Sequence, residues 1–419
     1  MKRSERKIQS ATNWQFILGL LCVVFLVASG ILLAEKINDS VKAKPTKTSV
    51  VQKKKTSSFP NGVQTARIMA NGDLLYHDLL YMSALQSDGT YDFTENYQYV
   101  KPWLKKADLV LGDFEGTIRP NYPLAGYPLF NAPESVVSAI KDAGYQVVDL
   151  AHNHILDSQL EGVFSTAKAF EQHGITPIGV YTHKNRDKAS LVIKKVNGIK
   201  IALLAYSYGF NGLEENISHA DYNHHLSDLN EEKMKKEIKQ AEKEADITVV
   251  MPQMGVEYQL KPTQEQKNLY HKMIEWGADI IFGGHPHVVE PSEVVKQNGQ
   301  KKFIIYSMGN FISNQRIETM DGVENKKWTE RGVLMDVTVE KSKKGTIIKE
   351  VQAHPSWVSR VAKGTYSPEG YPLYTYQTYI LEDFIEGGKY RNQLDQATKE
   401  RIDTAYQEMN EHVNLKWDK

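Results

Sequence analysis

The chain has 419 residues, of which 41% are hydrophobic and 24% charged, and these fractions are ordinary for a globular protein. They exclude a mainly disordered, collagenous or polytopic membrane chain. Basic and acidic side chains balance at 51 each, but residues 1–67 hold 12 of the basic and 3 of the acidic ones. The remaining body is therefore acidic, which disfavours a nucleic-acid partner.

The only cysteine is Cys22, so no disulfide framework and no cysteine-based zinc site can form within one chain. Any metal site must use His, Asp, Glu, Asn or Gln side chains. A domain of this size can bury a core without disulfides, so their lack does not exclude an extracytoplasmic location.

Segment 14–34 is predicted to be a transmembrane anchor. Residues 16–34 carry no charge over 19 positions, and about 20 apolar residues cross the hydrocarbon core of a bilayer. The basic segment 1–13 predicts a cytoplasmic N-terminus and a single-pass protein of the cell membrane whose globular domain is extracytoplasmic. A cleavable signal peptide is the alternative, but its apolar region usually has about 7–15 residues.

Residues 35–65 are polar and Lys-rich and lack apolar periodicity, so they are predicted to be a disordered tether. From residue 66 onward, apolar runs of strand length alternate with amphipathic helical stretches. These runs read ARIMANG, DLVLGDF, YQVVDLAH, KIALLAYSY, ITVVMPQ and DIIFGGH. The alternation predicts an α/β sheet domain.

Two turn pairs interrupt this alternation. Asn197-Gly198 and Asn298-Gly299 each lie between apolar runs and predict hairpins, so the sheet is mixed or two sheets pack together. After Gly332, GVLMDVTVEK and TIIKEVQAHPSWV predict a further strand pair. The tyrosine-rich stretch 365–380 is interpreted as a packing flap, with a polymer-binding surface as the alternative.

Five predicted strand ends carry acidic, amide or histidine side chains, and sites in open α/β sheets gather at the carboxyl ends of strands. In chain order, the candidates are Asp73, then Asp113 and Glu115, then His152, Asn153 and His154, then Gln253 and Glu257, and finally His285 and His287. Two neighbouring carboxylates at the edge of an apolar run are costly to bury unless they form ion pairs or bind a metal. Histidines two positions apart can hold one or two metals. The structural alternatives are a capped turn for the carboxylates and a core or capping role for a histidine.

Taken in order, these motifs resemble the calcineurin-like metallophosphoesterase superfamily, and more closely its CapA/PgsA branch of bacterial capsule and poly-γ-glutamate biosynthesis proteins. The segments that carry the resemblance are ANGD (70–73), ADLVLGDFEGTI (107–118), AHNHILD (151–157), MGVEY (254–258), GADIIFGGHPHVVEP (277–291) and IIYSMGNFISNQ (304–315). The resemblance implies a two-sheet sandwich flanked by helices over residues 66–340. Residues 341–419 would then form a C-terminal extension that packs on this domain.

The resemblance also implies a metal site. The implied ligands are Asp73, Glu115 or Asp113, Asn153, His285 and His287, with one or two ions of Mn, Fe or Zn. His154 matches the superfamily's catalytic histidine, a general acid that acts beside Asn153.

Two departures from the superfamily pattern bear on this expectation. Leu74 and Leu75 follow Asp73 where the superfamily has Asp-x-His, which removes one ligand. Gln253 stands where the branch usually has a histidine, so Gln253 and Glu257 are expected to be weak ligands or to support other ligands. Whether the protein is an enzyme is left open on this ground.

Three functions follow as hypotheses. The first is an accessory protein of a polymer synthase or export complex that binds partner subunits or the emerging anionic polymer. The second is an active metal-dependent phosphoesterase, hydrolase or transferase that acts on a cell-surface substrate. The third is a wall-associated binding module that uses residues 365–380.

Overall fold

The computed structural model describes residues 62–417. Two β-sheets form its frame. The first sheet has the strand order β14-β13-β12-β1-β2-β3-β4, with β11 paired to β1, and the second has the order β5-β6-β7-β8-β10-β9. The predicted cytoplasmic segment 1–13, the anchor 14–34 and the tether up to residue 61 lie outside the described residues. The last two tether residues, Gln64 and Thr65, belong to a strand and are not disordered. Within residues 62–417, no helix combines the length and apolarity that crossing a bilayer requires.

The strands of the first sheet are β1 (Gln64–Leu75), β2 (Leu109–Glu115), β3 (Val147–Asp149), β4 (Thr176–Ile178), β11 (Asn310–Ile312), β12 (Arg331–Ser342), β13 (Gly345–Tyr366) and β14 (Pro372–Ile380). Strands β1 to β4 run parallel to one another, whereas β12, β13 and β14 add antiparallel ladders beside β1. The strand pair predicted after Gly332 is confirmed as β12 and β13.

The strands of the second sheet are β5 (Val192–Val196), β6 (Ile199–Ser207), β7 (Ile247–Gln253), β8 (Ile280–Phe282), β9 (Val289–Gln297) and β10 (Gln300–Met308). Strands β6, β7, β8 and β10 are parallel, and β5 and β9 are antiparallel edge strands. The two Asn-Gly hairpins are confirmed, because Asn197 and Asn298 adopt the positive φ that such turns require.

The helices are α1 (Asp78–Ala84), α2 (Lys101–Leu104), α3 (Ser135–Ala143), α4 (Gln159–Gln172), α5 (His219–His225), α6 (Glu231–Glu244), α7 (Gln264–Trp276) and α8 (Gln396–Val413). Helix α7 begins with a capping box in which Thr263 and Gln266 satisfy each other's backbone N–H groups, and it ends before Gly277. The polar C-terminal stretch, residues 382–419, has a helical sequence pattern. The helix begins only at Gln396, since short 3₁₀ turns occupy 381–383 and 391–393.

Alternation along the strands divides the apolar side chains between two faces. Ile68 and Leu111 face the second sheet and pack with residues such as Leu203 and Val249. Met69 and Val110 face the other way and pack under α3 and α4. On the outer face of the second sheet, Tyr206 packs with Met234 of α6 and Met273 of α7. The prediction of an α/β two-sheet architecture flanked by helices is therefore confirmed.

The tyrosine-rich stretch forms the hairpin of β13 and β14. Tyr376 and Tyr379 are buried, whereas Tyr366 and Tyr371, near the turn, are 69% and 53% exposed. On the same strand β13, His354 lies between Asp336 and Glu382, and its Nδ1 is 2.8 Å from Glu382 Oε1. Burial alone would lower the pKa of His354, but the neighbouring carboxylates of Asp336 and Glu382 raise it to about 9.

We expect His354→Gln to destabilise the protein in a pH-dependent manner. The pKa of His354 is raised in the folded state, so its contribution is fully present below about pH 6.5 and is lost as pH rises through about 9. The difference in the free energy of unfolding between wild type and variant should be about 1–3 kcal/mol at pH 6 and should shrink by pH 9.5. Urea unfolding across this range measures it, with exposed His183→Gln as the control. A difference that does not change with pH would contradict the assignment.

Candidate metal centre

The two sheets meet along the edge where their parallel strands end. Asp73 lies near the end of β1, Glu115 ends β2, Asp149 ends β3 and Gln253 ends β7, while His285 and His287 follow β8. The loop after β8 reaches β7 through a bridge between Gly284 and Gln253. These pairings bring side chains that are far apart in sequence into one buried cluster.

Glycines permit the close contact at this edge. The backbone N–H of Asp73 donates to the carbonyl of Gly309 at 3.0 Å. A Cβ on Gly72 would lie 2.0 Å from that carbonyl oxygen, and a Cβ on Gly284 would lie 2.7 Å from Asp113 Oδ2. The backbone can therefore approach the Gly309 carbonyl and the Asp113 carboxylate this closely only because Gly72 and Gly284 carry no side chain.

We expect Gly72→Ala to cost about 2–4 kcal/mol of folding free energy, because its Cβ would overlap a backbone carbonyl that cannot rotate away. Thermal denaturation measures the loss. Gly209→Ala is the matched control, since the nearest atom to its Cβ would be a flexible Glu214 side-chain oxygen at 3.9 Å. Equal melting temperatures for the two variants would contradict this packing argument.

Three buried side chains form the centre of the cluster. One ligand atom from each of Asp73, Glu115 and His287 lies within 4.8 Å of the other two. His287 Nδ1 is 2.8 Å from Asp73 Oδ2 and 3.8 Å from Glu115 Oε2. The first, second and last of the predicted strand ends are thus brought together.

Several buried oxygens around these residues accept no hydrogen bond from any described residue. They are Asp73 Oδ1, Asp113 Oδ1, both carboxylate oxygens of Glu115, and Asn153 Oδ1. Burial of unpaired carboxylates is costly, and natural proteins balance it with cations or metals. A set of carboxylate and amide oxygens with imidazole nitrogen suits Mn, Fe or Zn. The residues present therefore fit a divalent metal.

The pKa values in the cluster reflect this concentration of buried charge. Burial raises the pKa of Asp113 and of Glu115 well above their usual range, and the nearby Asp73 raises both further. Burial opposes protonation of His287, but the charge of Glu115 and the hydrogen bond with Asp73 raise its pKa to about 10. Burial, followed by the charge of His287, lowers the pKa of His285 to about 3. The cluster therefore favours a bound positive charge.

His154 lies beside the three-residue cluster in a fixed orientation. Its Nδ1 is 2.7 Å from Asp157 Oδ2, and Asp157 in turn accepts the backbone N–H of Phe130 at 2.6 Å. The other ring nitrogen, Nε2, lies 4.0 Å from Glu115 Oε1. Since Asp157 holds one nitrogen, the other is positioned to give or take a proton at the edge of the cluster.

The other candidate residues of the strand ends lie in different environments. The Oε1 atom of Gln253 accepts the backbone N–H of Asn153 at 2.8 Å, whereas its buried Nε2 has no partner within residues 62–417. His285 Nδ1 is likewise buried without a described partner, and its ring lies 4.5 Å from that of Tyr208. His152 is buried and accepts the backbone N–H of His154. Glu257 is exposed.

The sequence interpretation did not assign three buried residues of this edge. Asp157 follows His154 by three positions, within a motif that was noted only for its resemblance. Asn310 Oδ1 lies 3.2 Å from His287 Nδ1, and Asn310 Nδ2 donates to Gln315 and Thr329. Asp149 accepts the backbone N–H of Ala151 at 2.7 Å. A polar residue directly after an apolar run is the signal that could have identified Asp149 and Asn310.

Residues 67–315 match the family model described as "Bacterial capsule synthesis protein PGA_cap". The chain is 34% identical over 228 residues to "Capsule biosynthesis protein CapA" of Bacillus anthracis, covering 52% of this chain and 54% of that protein. It is also 34% identical over 228 residues to "PGA biosynthesis protein CapA" of Bacillus subtilis, covering 52% and 57%. The chain spans about half the length of these curated relatives.

Among solved structures, a "novel phosphatase" of Mycoplasma pneumoniae is similar at 12% identity, with coverage of 70% of this chain and 94% of that chain and a TM-score of 0.43. A calcineurin-like phosphoesterase of Bacillus subtilis is similar at 13% identity, with coverage of 70% and 90% and a TM-score of 0.37.

Proposed function

The chain belongs to the PGA_cap family of bacterial capsule synthesis proteins, and on that premise we propose that it acts in synthesis or export of a capsule or poly-γ-glutamate through a divalent-metal centre. Its anionic polymer and the other subunits of a synthase or export complex are its proposed partners. Residues 14–34 anchor it in the cell membrane, with the N-terminus in the cytoplasm and the described body outside.

The observation that carries the metal centre is the group of buried, unpaired carboxylate oxygens beside His287. Without a cation, burial of these carboxylates would destabilise the folded protein without a compensating interaction. In the proposed centre, Asp73, Glu115 and His287 hold the metal, and Asp113, Asn153 and His285 stand beside them as further ligands. The metal would supply a positive charge that stabilises negative charge on a substrate oxygen.

A second candidate function is a metal-dependent phosphoesterase, hydrolase or transferase that acts on a cell-surface substrate. The pair formed by His154 and Asp157 favours it, because Asp157 holds Nδ1 of His154 and leaves Nε2 4.0 Å from Glu115 Oε1 at the edge of the metal centre. In this function Asp157 orients His154, and His154 Nε2 passes its proton to the leaving group of the substrate. The side chains around them exclude water from the transfer.

Complementation of a deletion strain tests the proposal. Wild-type protein should restore surface polymer, and His287→Ala, expressed at the same level in the membrane fraction, should not. His271→Ala is the matched control, because His271 is half-exposed and pairs with Glu293 on the outer face of the second sheet. Full restoration by His287→Ala would show that the polymer pathway uses the protein without its metal centre. Restoration by His154→Ala but not by His287→Ala would show that surface polymer requires the metal centre but not proton transfer by His154.

A further inference from the structure

The metal centre and the point at which the described chain begins lie at opposite ends of the body. Strand β1 starts at Gln64, and Asp73 follows nine positions later on the same strand. At about 3.3 Å per residue, roughly 30 Å separates the two along the strand. Residues 1–61 therefore connect to the body at the end remote from the centre.

Three hairpin turns share this remote end. Gln64 pairs with Lys341, next to the turn between β12 and β13. Asn197, in the turn between β5 and β6, donates through Nδ2 to the carbonyl of Thr65 at 3.0 Å. The third turn, at Asn298, precedes β10, which starts at the same end because it runs parallel to β8. We refer to these turns, residues 195–200, 296–301 and 341–347, as the turn end.

The turn end is rich in exposed lysines. Lys195, Lys296, Lys343 and Lys344 are exposed, and none forms an ion pair with a residue in the described range. Of the acidic side chains nearby, Asp246 and Asp279 are paired with Lys341 and Lys302. Glu242 and Glu275 lie beside Asn298 and Thr346 and form no ion pair within residues 62–417. Ile347, directly after the lysine turn, is 45% exposed. The three turns themselves thus carry four unpaired lysines, one exposed apolar side chain and no acidic residue, although the chain after residue 67 is acidic overall.

We propose that the turn end rests on an anionic lipid surface, an inference that depends on the membrane anchoring in the proposed function. The 61 residues before the described body include the uncharged run 16–34, and they join the body at this end. A tether of about 30 residues keeps the lysines near the bilayer at millimolar effective concentration. Each lysine at an anionic surface then strengthens contact roughly fivefold. The metal centre faces away from the membrane in this arrangement.

The test uses the full chain in vesicles, in a Cys22→Ser background that leaves no native cysteine. A fluorophore is placed at Thr346→Cys on the turn end or at Leu129→Cys, an exposed loop residue, and lipid carrying a headgroup quencher is added. In vesicles with phosphatidylglycerol, quenching at position 346 should exceed quenching at position 129 several-fold. With phosphatidylcholine alone the difference should disappear.

Replacement of the four turn lysines by glutamine should abolish the quenching at position 346. The matched control replaces four exposed lysines of other faces, Lys168, Lys184, Lys235 and Lys239, and should retain it. Equal quenching at both positions, or quenching unaffected by the turn lysines, would overturn the proposal. Loss of quenching when soluble polyglutamate is added would also overturn the proposal, because it would assign the surface to the polymer. Failure of the chain to float with vesicles would instead refute the anchor, independently of this surface.

Discussion

Replacing His287 by alanine is expected to abolish stoichiometric binding of a divalent metal to the purified protein. His287 supplies the only nitrogen of the three-residue cluster, and its Nδ1 contacts Asp73 at 2.8 Å and faces Glu115 at 3.8 Å. Without it, the three-residue cluster keeps only two carboxylates and loses the nitrogen donor that Mn, Fe or Zn prefers beside oxygen donors. His285, the other proposed nitrogen ligand, is not part of this cluster. We expect the apparent metal affinity to fall at least 100-fold.

Elemental mass spectrometry and calorimetric titration with Mn²⁺ measure this change. His271→Ala, on an outer face, should keep the wild-type stoichiometry. Wild-type protein should also gain thermal stability when metal is added, since ligand binding to the folded state stabilises it. If wild type binds no metal after loading, the buried carboxylates need another explanation. If His287→Ala binds as tightly as wild type, the ligand set is wrong.

Replacing His154 by alanine is expected to remove turnover while leaving metal binding intact. Its Nε2 lies 4.0 Å from Glu115 Oε1 and its Nδ1 is held by Asp157. In the proposed function it is therefore a proton donor and not one of the three cluster residues. Loss of a positioned proton donor typically lowers the rate by about 10²–10⁴-fold. Turnover of a generic aryl phosphodiester with Mn²⁺ supplied provides the measurement, with kcat expected to fall and KM to stay the same.

Asp157→Asn separates orientation from proton transfer. Asparagine keeps an oxygen for the backbone N–H of Phe130 but loses the charge beside His154. We expect a smaller fall in kcat, of up to about 100-fold, because the imidazole remains present but is less well positioned.

A metal content that falls with His154→Ala would contradict its role as a proton donor. The absence of turnover in metal-loaded wild type would leave the capsule function without this chemistry.

The local chemistry of the chain was sufficient to predict most of the fold. Asn197-Gly198 and Asn298-Gly299 form the hairpins that these pairs favour, because asparagine and glycine tolerate positive φ. Thr263 and Gly277 bound helix α7, since one caps its first turn and the other follows its last. The predicted strand in DLVLGDF is also confirmed, because a short apolar segment between turn residues favours a buried strand.

The candidate site was predictable only in part. The positions at strand ends follow from sequence, because polar residues directly after apolar runs must lie at the edge of a sheet. Asp157 was not assigned although it follows His154 by only three positions, since spacing alone does not show that the two side chains contact each other. Asn310 was not assigned, since its contact is with His287, which precedes it by 23 positions. The role of Gln253 likewise depends on the backbone N–H of Asn153, which lies 100 positions away.

Composition, turn residues and apolar periodicity are local properties, and they suffice for the class of fold, the hairpins and the strand ends that carry polar residues. The selection of Asp73, Glu115 and His287 from a longer list of candidates required the packing of the two sheets. That packing depends on the close approach of Gly72 to Gly309 and on the bridge between Gln253 and Gly284. Distances of a few ångströms between residues more than 200 positions apart arise only from such tertiary contacts, because no local preference of the chain specifies them.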